Sequence, residues 1–337
     1  MSDLKVGVIG LGLGRHHVAA YAASERVGRL VICDTDREAL ASARDAFPRV
    51  DETYDDLATM LNREALDAVS VVTPDHFHRA HAEACLAAGA HVLLTKPLAT
   101  NLEDGRSIVR AAESARRKLM VAHERRYRSR YRRLKELLES GALGEIVYVR
   151  SDSIQDKRRQ FERSPWYAST AAGRTALVGS GIHDVDLVRY LVGRPIVSVS
   201  AYSNRLGALE FPAAKTTAAS YLFDNDAIGQ VTVTYEARPR PGGPADANFL
   251  LVATKGMVVG RQVNIESHDG WETLPEDDQA IVTGTYGCVE HFLAAIVEDG
   301  PVPIDGREAF ASLATAVAAD VSAATGQKVA PAPADFA

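Results

Sequence analysis

Short apolar runs alternate with amphipathic stretches over the first 122 residues, and period-two alternation follows. Val6-Gly-Val-Ile9, Leu30-Val-Ile-Cys33, Ala68-Val-Ser-Val-Val72, His91-Val-Leu-Leu94 and Lys118-Leu-Met-Val-Ala122 are apolar at consecutive positions, as in strands buried on both faces. Between them the spacing predicts helices after Gly14, over Arg37–Ala46, over Phe77–Ala88 and over about 102–117. Asp51-Glu-Thr-Tyr-Asp-Asp56 leads a further short helix. Repeated strand–helix units predict a parallel, doubly wound sheet with ligands at the carboxyl ends of its strands.

From Glu145 the pattern changes. Glu145-Ile-Val-Tyr-Val-Arg150 alternates, and strands bounded by turn residues are expected near 196–203, 216–223, 228–236, 249–254 and 257–260. Strands joined by turns imply an antiparallel sheet. Helices are expected over about 130–140, 184–191, 286–298 and 306–324, ahead of a Pro/Ala-rich tail.

Bulk properties narrow the class. At 337 residues the chain is too long for one ordinary core, so two domains are expected, over 1–122 and 123–337. A net charge of −6 argues against nucleic acid or a membrane as the main partner. Cys33, Cys85 and Cys288 fit no disulfide or zinc spacing and read as reduced core thiols; no metal site is expected. The chain enters its first strand with no room for a signal peptide, and no apolar run approaches a membrane span in length. A cytoplasmic protein is expected.

The first strand breaks into glycines at 10, 12 and 14, with Leu13 and Arg15 among them, and then runs into a helix. Such a turn brings backbone N–H groups and a helix N-terminus against a pyrophosphate, although the third glycine falls one residue early for the full dinucleotide fingerprint. Asp34 ends the second strand twenty-four residues after Gly10. There a carboxylate bonds the adenosine ribose and repels a 2′-phosphate, favouring NAD over NADP; Arg37 nearby keeps NADP open. Capping the next helix is the alternative role for Asp34. Together these features make the first domain a Rossmann fold.

Thr95-Lys96-Pro97 follows the strand 91–94, on the edge where the cofactor is expected. Proline restricts the backbone of Lys96, and a lysine fixed beside a nicotinamide can donate to a substrate oxygen or relay its proton. Thr73-Pro74 ends the strand 68–72 in the same way, with His78 opening the next helix, so this loop is expected at the nicotinamide ribose. Asp75 is equally suited to capping that helix, and His81 reads as a surface or core residue.

These elements in order, with "AGAHVLLTKPLA", "VAHERRYRSRYRRLKELLESGALGEI", "GIHDVDLVRYLVG" and "FLAAIVEDGPVPIDGREAF", resemble the Gfo/Idh/MocA oxidoreductases over nearly the whole chain. The resemblance implies NAD, an open second sheet that pairs subunits as a homodimer or homotetramer, and C-terminal helices packed back on the first domain. It also implies that His183 faces the hydroxyl being oxidised, opposite Lys96. The family aspartate four residues before that histidine is replaced here by Gly179. Glu124 is a candidate replacement carboxylate, while Asp184 and Asp186 read as helix anchors. In the basic run from Arg116 to Arg133, Arg126 is a candidate for meeting an anionic group on the substrate. Trp166 and Tyr167 either stack on a sugar ring or pack their loop onto the sheet. The implied reaction is hydride transfer between nicotinamide and a ring hydroxyl of a sugar, inositol or related polyol. An NAD-dependent glycosidase working by transient oxidation, and a non-catalytic NAD-binding protein, are the alternatives.

Overall fold

The computed structural model describes residues 3–238, 248–334 and 336. In chain order its first elements are β1 (Leu4–Ile9), α1 (Gly14–Ala23), β2 (Val27–Cys33), α2 (Arg37–Ala46), β3 (Glu52–Tyr54) and α3 (Leu57–Arg63). There follow β4 (Ala68–Val71), α4 (His78–Ala87), β5 (His91–Thr95), α5 (Leu102–Ala115) and β6 (Leu119–Ala122). Next come α6 (Ser129–Glu139), β7 (Ile146–Ile154), α7 (Arg158–Arg163), α8 (Ile182–Val192), β8 (Ile196–Asn204), β9 (Thr216–Phe223) and β10 (Ile228–Thr234). The rest are β11 (Phe249–Ala253), β12 (Gly256–Val259), β13 (Gln262–Ile265), β14 (Glu272–Thr273), α9 (Ala280–Val297) and α10 (Gly306–Thr325).

The chain divides into two compact units: residues 1–124 with 281–310 and 335–337, and residues 125–280 with 311–334. The first holds a six-stranded parallel sheet in the order β3-β2-β1-β4-β5-β6. Strand order reverses between β1 and β4, and the crevice at such a switch point is where doubly wound sheets bind ligands. The apolar runs are strands buried on both faces: β4 and residues 92–94 of β5 are wholly buried. The segment 52–54, expected only as a helix lead-in, is a short edge strand beside β2, because three residues are too few to show a period.

Residues 281–310 join the first unit through specific contacts. Val121 N–H donates to the Ile304 carbonyl at 3.0 Å, Arg307 pairs with Glu113, and Arg26 pairs with Glu290 on α9. By length and composition α9 is apolar enough to cross a membrane, which corrects the expectation that no run approaches that length. Its apolarity has a core role: Cys288, Val289, Phe292 and Leu293 are fully buried.

The second unit is built on an eight-stranded sheet, β14-β13-β12-β11-β7-β10-β9-β8, antiparallel except where β7 meets β10. One face alternates inward, through Val149, Ser151, Ser153, Val231 and Val233. The other carries a cross-strand row in register: Leu222, Ile228, Tyr148, Val252 and Met257. Leu222 and Ile228 in that row are 39% and 45% exposed. The architecture is thus α/β, with a parallel six-stranded Rossmann sheet and a second, mostly antiparallel sheet.

Candidate active site

The three glycines of the first turn meet different surroundings. Gly10 has φ +86°, and a Cβ there would lie 2.6 Å from the Val72 carbonyl oxygen. At Gly14 a Cβ would press on Val8 and Val72 at 3.3–3.4 Å, so glycine lets α1 pack against β1 and β4. A Cβ on Gly12 would meet nothing within 4 Å. No protein packing demands glycine there, so this side of the turn is open to a ligand whose pyrophosphate approaches the backbone. Leu13, beside it, is 53% exposed.

Asp34 reinforces this turn. Its Oδ2 accepts the Leu11 N–H at 2.6 Å and its Oδ1 accepts the Asp36 N–H at 3.0 Å. The cap of α2 is Asp36, which accepts from Glu38 and Ala39, so Asp34 is not the cap. Each Asp34 oxygen keeps lone-pair capacity for a ribose hydroxyl. Arg37 is drawn off to Asp55, and Arg15 donates to Ser42 on α2. The glycine turn, the Asp34 carboxylate and the open side of Gly12 fit a dinucleotide.

Lys96 is half-buried just past β5, and its peptide bond to Pro97 is cis. Thr73 and Pro74 occupy the matching place after β4. His78, expected among the cofactor contacts, is fully buried; its Nδ1 lies 2.8 Å from the Pro97 carbonyl oxygen and its Nε2 3.1 Å from that of Thr73. Its ring ties the Thr73 loop to the Lys96-Pro97 loop. Only the spatial adjacency of β4 and β5 reveals this tie. Glu124 is half-buried on a 3₁₀ turn that α9 approaches closely, a Cβ on Gly284 being 2.6 Å from the Glu124 carbonyl oxygen.

In the second unit, His183 sits at the start of α8. From Ala176 to Val188 every residue is buried except His183. Two ion pairs, each with a buried carboxylate, hold this helix. Asp184 accepts from Arg125 and from Ser151 Oγ on β7, and Asp186 takes a two-pronged pair from Arg126 at 2.6 and 2.8 Å. Asp184 and Asp186 are therefore anchors. Arg126, a candidate for an anionic substrate group, has its guanidinium fork engaged by Asp186 and lies 4.7 Å over Tyr190.

A cavity of about 140 Å³ beside these pairs is walled by Arg125, Arg128, Asp152 and Asp184. Trp166 and Tyr167 stack on each other at 3.8 Å, with Arg174 over both rings. Arg174 carries no spacing signal in the sequence and was not among the expected site residues. Among the described residues no cluster of three His, Cys, Asp or Glu side chains could hold a metal.

Residues 4–123 match the model of the GFO/IDH/MocA oxidoreductase family, NAD-binding Rossmann fold, and residues 131–259 match the GFO/IDH/MocA C-terminal domain. The 1-carboxy-3-chloro-3,4-dihydroxycyclohexa-1,5-diene dehydrogenase of Comamonas testosteroni is 30% identical, over 68% of this chain and 57% of its own length. Inositol 2-dehydrogenase 2 of Saccharopolyspora erythraea is 31% identical, over 62% of this chain and 60% of its own. These matches thus span less than two thirds of either relative. A levoglucosan dehydrogenase crystallised with NADH and levoglucosan superposes with a TM-score of 0.85 at 26% identity, over 97% of this chain and 99% of that one. With both halves matched in order and the glycine turn, Asp34 and Lys96 in place on the switch-point edge, the chain belongs to the GFO/IDH/MocA family of NAD-binding oxidoreductases.

Proposed function

We propose that the protein is an NAD-dependent dehydrogenase that oxidises a ring hydroxyl of a sugar, inositol or related polyol. One observation carries the reading: the glycine turn, the Thr73-Pro74 loop and Lys96 lie at the carboxyl ends of β1, β4 and β5, three adjacent strands. Gly10, Gly12, Leu13, Gly14 and Arg15 form the pyrophosphate cradle, and Asp34 takes the adenosine ribose. The carboxylate at 34 and the diversion of Arg37 to Asp55 favour NAD over NADP. When bound, the cofactor supplies a hydride acceptor at its nicotinamide C4.

Lys96 then takes the hydroxyl proton as the carbinol carbon is oxidised, and His183 hydrogen-bonds the substrate. Glu124, Trp166 and Tyr167 are further substrate-side residues, and His78 holds the Lys96 loop in place. The relatives support the substrate class, since their names include an inositol dehydrogenase and a levoglucosan dehydrogenase. The protein works in the cytoplasm as a homodimer or homotetramer, paired through the exposed row on the second sheet.

The test is NADH formation over a panel of sugars and inositols, with NAD and NADP run separately. Lys96→Met is expected to lower kcat by about 10²–10⁴-fold while NAD binding is retained. Unchanged turnover in that variant would falsify the acid–base assignment. With aryl glycosides added to the panel, release of an aglycone without net NADH would favour the glycosidase, and cofactor binding with no turnover the non-catalytic protein.

A further inference from the structure

The carboxyl ends of β2 and β3 set two carboxylates side by side, with an arginine bound to one of them. The strands run parallel with Cys33 opposite Tyr54, and the Asp34 N–H donates to the Tyr54 carbonyl at 3.1 Å. Asp34 and Asp55 are the residues that follow, so they leave the sheet as neighbours. Burial first, and then the charges of Asp34, Asp56 and Asp55, push the Cys33 thiol up to about 12, so all three carboxylates lie close around this strand end. Asp56 is committed as the cap of α3, where it accepts the Thr59 N–H at 2.7 Å.

Arg37 opens α2 shortly after Asp34, and its Nε and Nη2 both donate to Asp55 Oδ2, at 3.1 and 2.6 Å. The same edge of a guanidinium grips two oxygens of a phosphate. The Arg37 side chain is 84% exposed and that of Asp55 50%, so the pair lies in water and is weak. Pairing alone therefore does not keep Arg37 from a 2′-phosphate on a ribose seated against Asp34. What opposes that phosphate is charge. Carboxylates at 34 and 55 outnumber the one guanidinium, and like charges brought together on binding repel.

We propose that Asp55 is a second cofactor-specificity residue, and that Arg37 is a 2′-phosphate ligand which Asp55 keeps out of use. Removing the Asp55 charge alone, with Asp34 in place, opens the site to NADP. The inference rests on the dehydrogenase reading above and deepens its cofactor choice. That choice is then made by the loop after β3 as well as by the end of β2. Neither Asp55 nor Arg37 touches the reacting atoms; both act on binding of the adenosine portion.

The test is a fluorescence titration of NADH and of NADPH, which needs no substrate. Wild type, Asp55→Asn, Arg37→Met and the double variant Asp55→Asn/Arg37→Met are measured. Wild type is expected to bind NADH at least about tenfold tighter than NADPH. Asp55→Asn is expected to tighten NADPH about tenfold or more relative to NADH. The double variant is expected to lose that gain, since the ligand for the phosphate is gone. Both side chains are exposed, so folding is not at stake, and Asp55→Ser serves as a second neutral replacement. A residue of merely structural importance would weaken both dinucleotides alike and leave their ratio unmoved. An unmoved ratio in Asp55→Asn, a gain that survives the loss of Arg37, or a wild-type preference for NADPH overturns the proposal and leaves the dehydrogenase reading standing. Wild type that binds neither dinucleotide overturns both.

Discussion

At the scale of single residues, Gly10 and Gly12 look alike in the sequence and differ in the fold. Gly10 is bound to its backbone angle and to the Val72 carbonyl, so Gly10→Ala strains the turn. A loss of about 1–3 kcal/mol is expected, seen as a lower melting temperature. Gly12 faces open space, so Gly12→Ala is expected to leave melting unchanged and to weaken NAD at least about tenfold by crowding its pyrophosphate. An NAD titration that gives wild-type affinity for Gly12→Ala would remove the cradle assignment. The residues whose partners are near in sequence were legible: the glycine turn, and the acidic residue a fixed distance beyond it. For His78 the sequence shows only that it opens a helix. Its partners Thr73 and Pro97 arrive on different strands.

At the scale of elements, the segment carrying Gly179 and His183 is fastened to the C-terminal helix. Thr175 Oγ1 donates to Asp320 Oδ2 on α10 at 2.7 Å and accepts the Val178 N–H at 3.1 Å. Burial pushes the Asp320 carboxyl up to about 6 from its ordinary 3.8, against the opposing effect of the Thr175 hydrogen bond. A raised folded-state value means that ionisation costs the folded state. The contribution is fully favourable below the unfolded value, is lost as pH climbs from 3.8 towards 6, and stays lost above. Asp320→Asn keeps an acceptor for Thr175 and removes the charge. It is expected to raise stability near neutral pH by about 3 kcal/mol and to flatten the pH dependence between those limits. Thermal melts across that range check this; parallel curves for variant and wild type would contradict it. The long periodic helices and apolar strands were readable from the sequence. The short strands β3, β13 and β14 were not, since two to four residues between turns carry no usable period.

At the scale of the whole molecule, the second sheet has one face covered and one face bearing an in-register apolar row across five strands. Self-association through this row is testable directly. Wild type is expected to run as a dimer or tetramer in light scattering, and Leu222→Lys with Ile228→Lys to shift it to monomer while leaving NAD binding intact. A wild-type monomer would dispose of the oligomer assignment. The sequence by itself determined the order of the longer elements, the Rossmann class, the glycine turn with Asp34, and the lysine at the edge. Each of these is written in local period or fixed spacing, which the backbone reads without distant partners. Only the tertiary structure decided that His78 clamps two loops, that Arg126 is held by Asp186, and that a guanidinium fills the space at Gly179. Those outcomes depend on which side chains meet across strands and helices far apart in the chain, and pairing of that kind leaves no periodic trace along it.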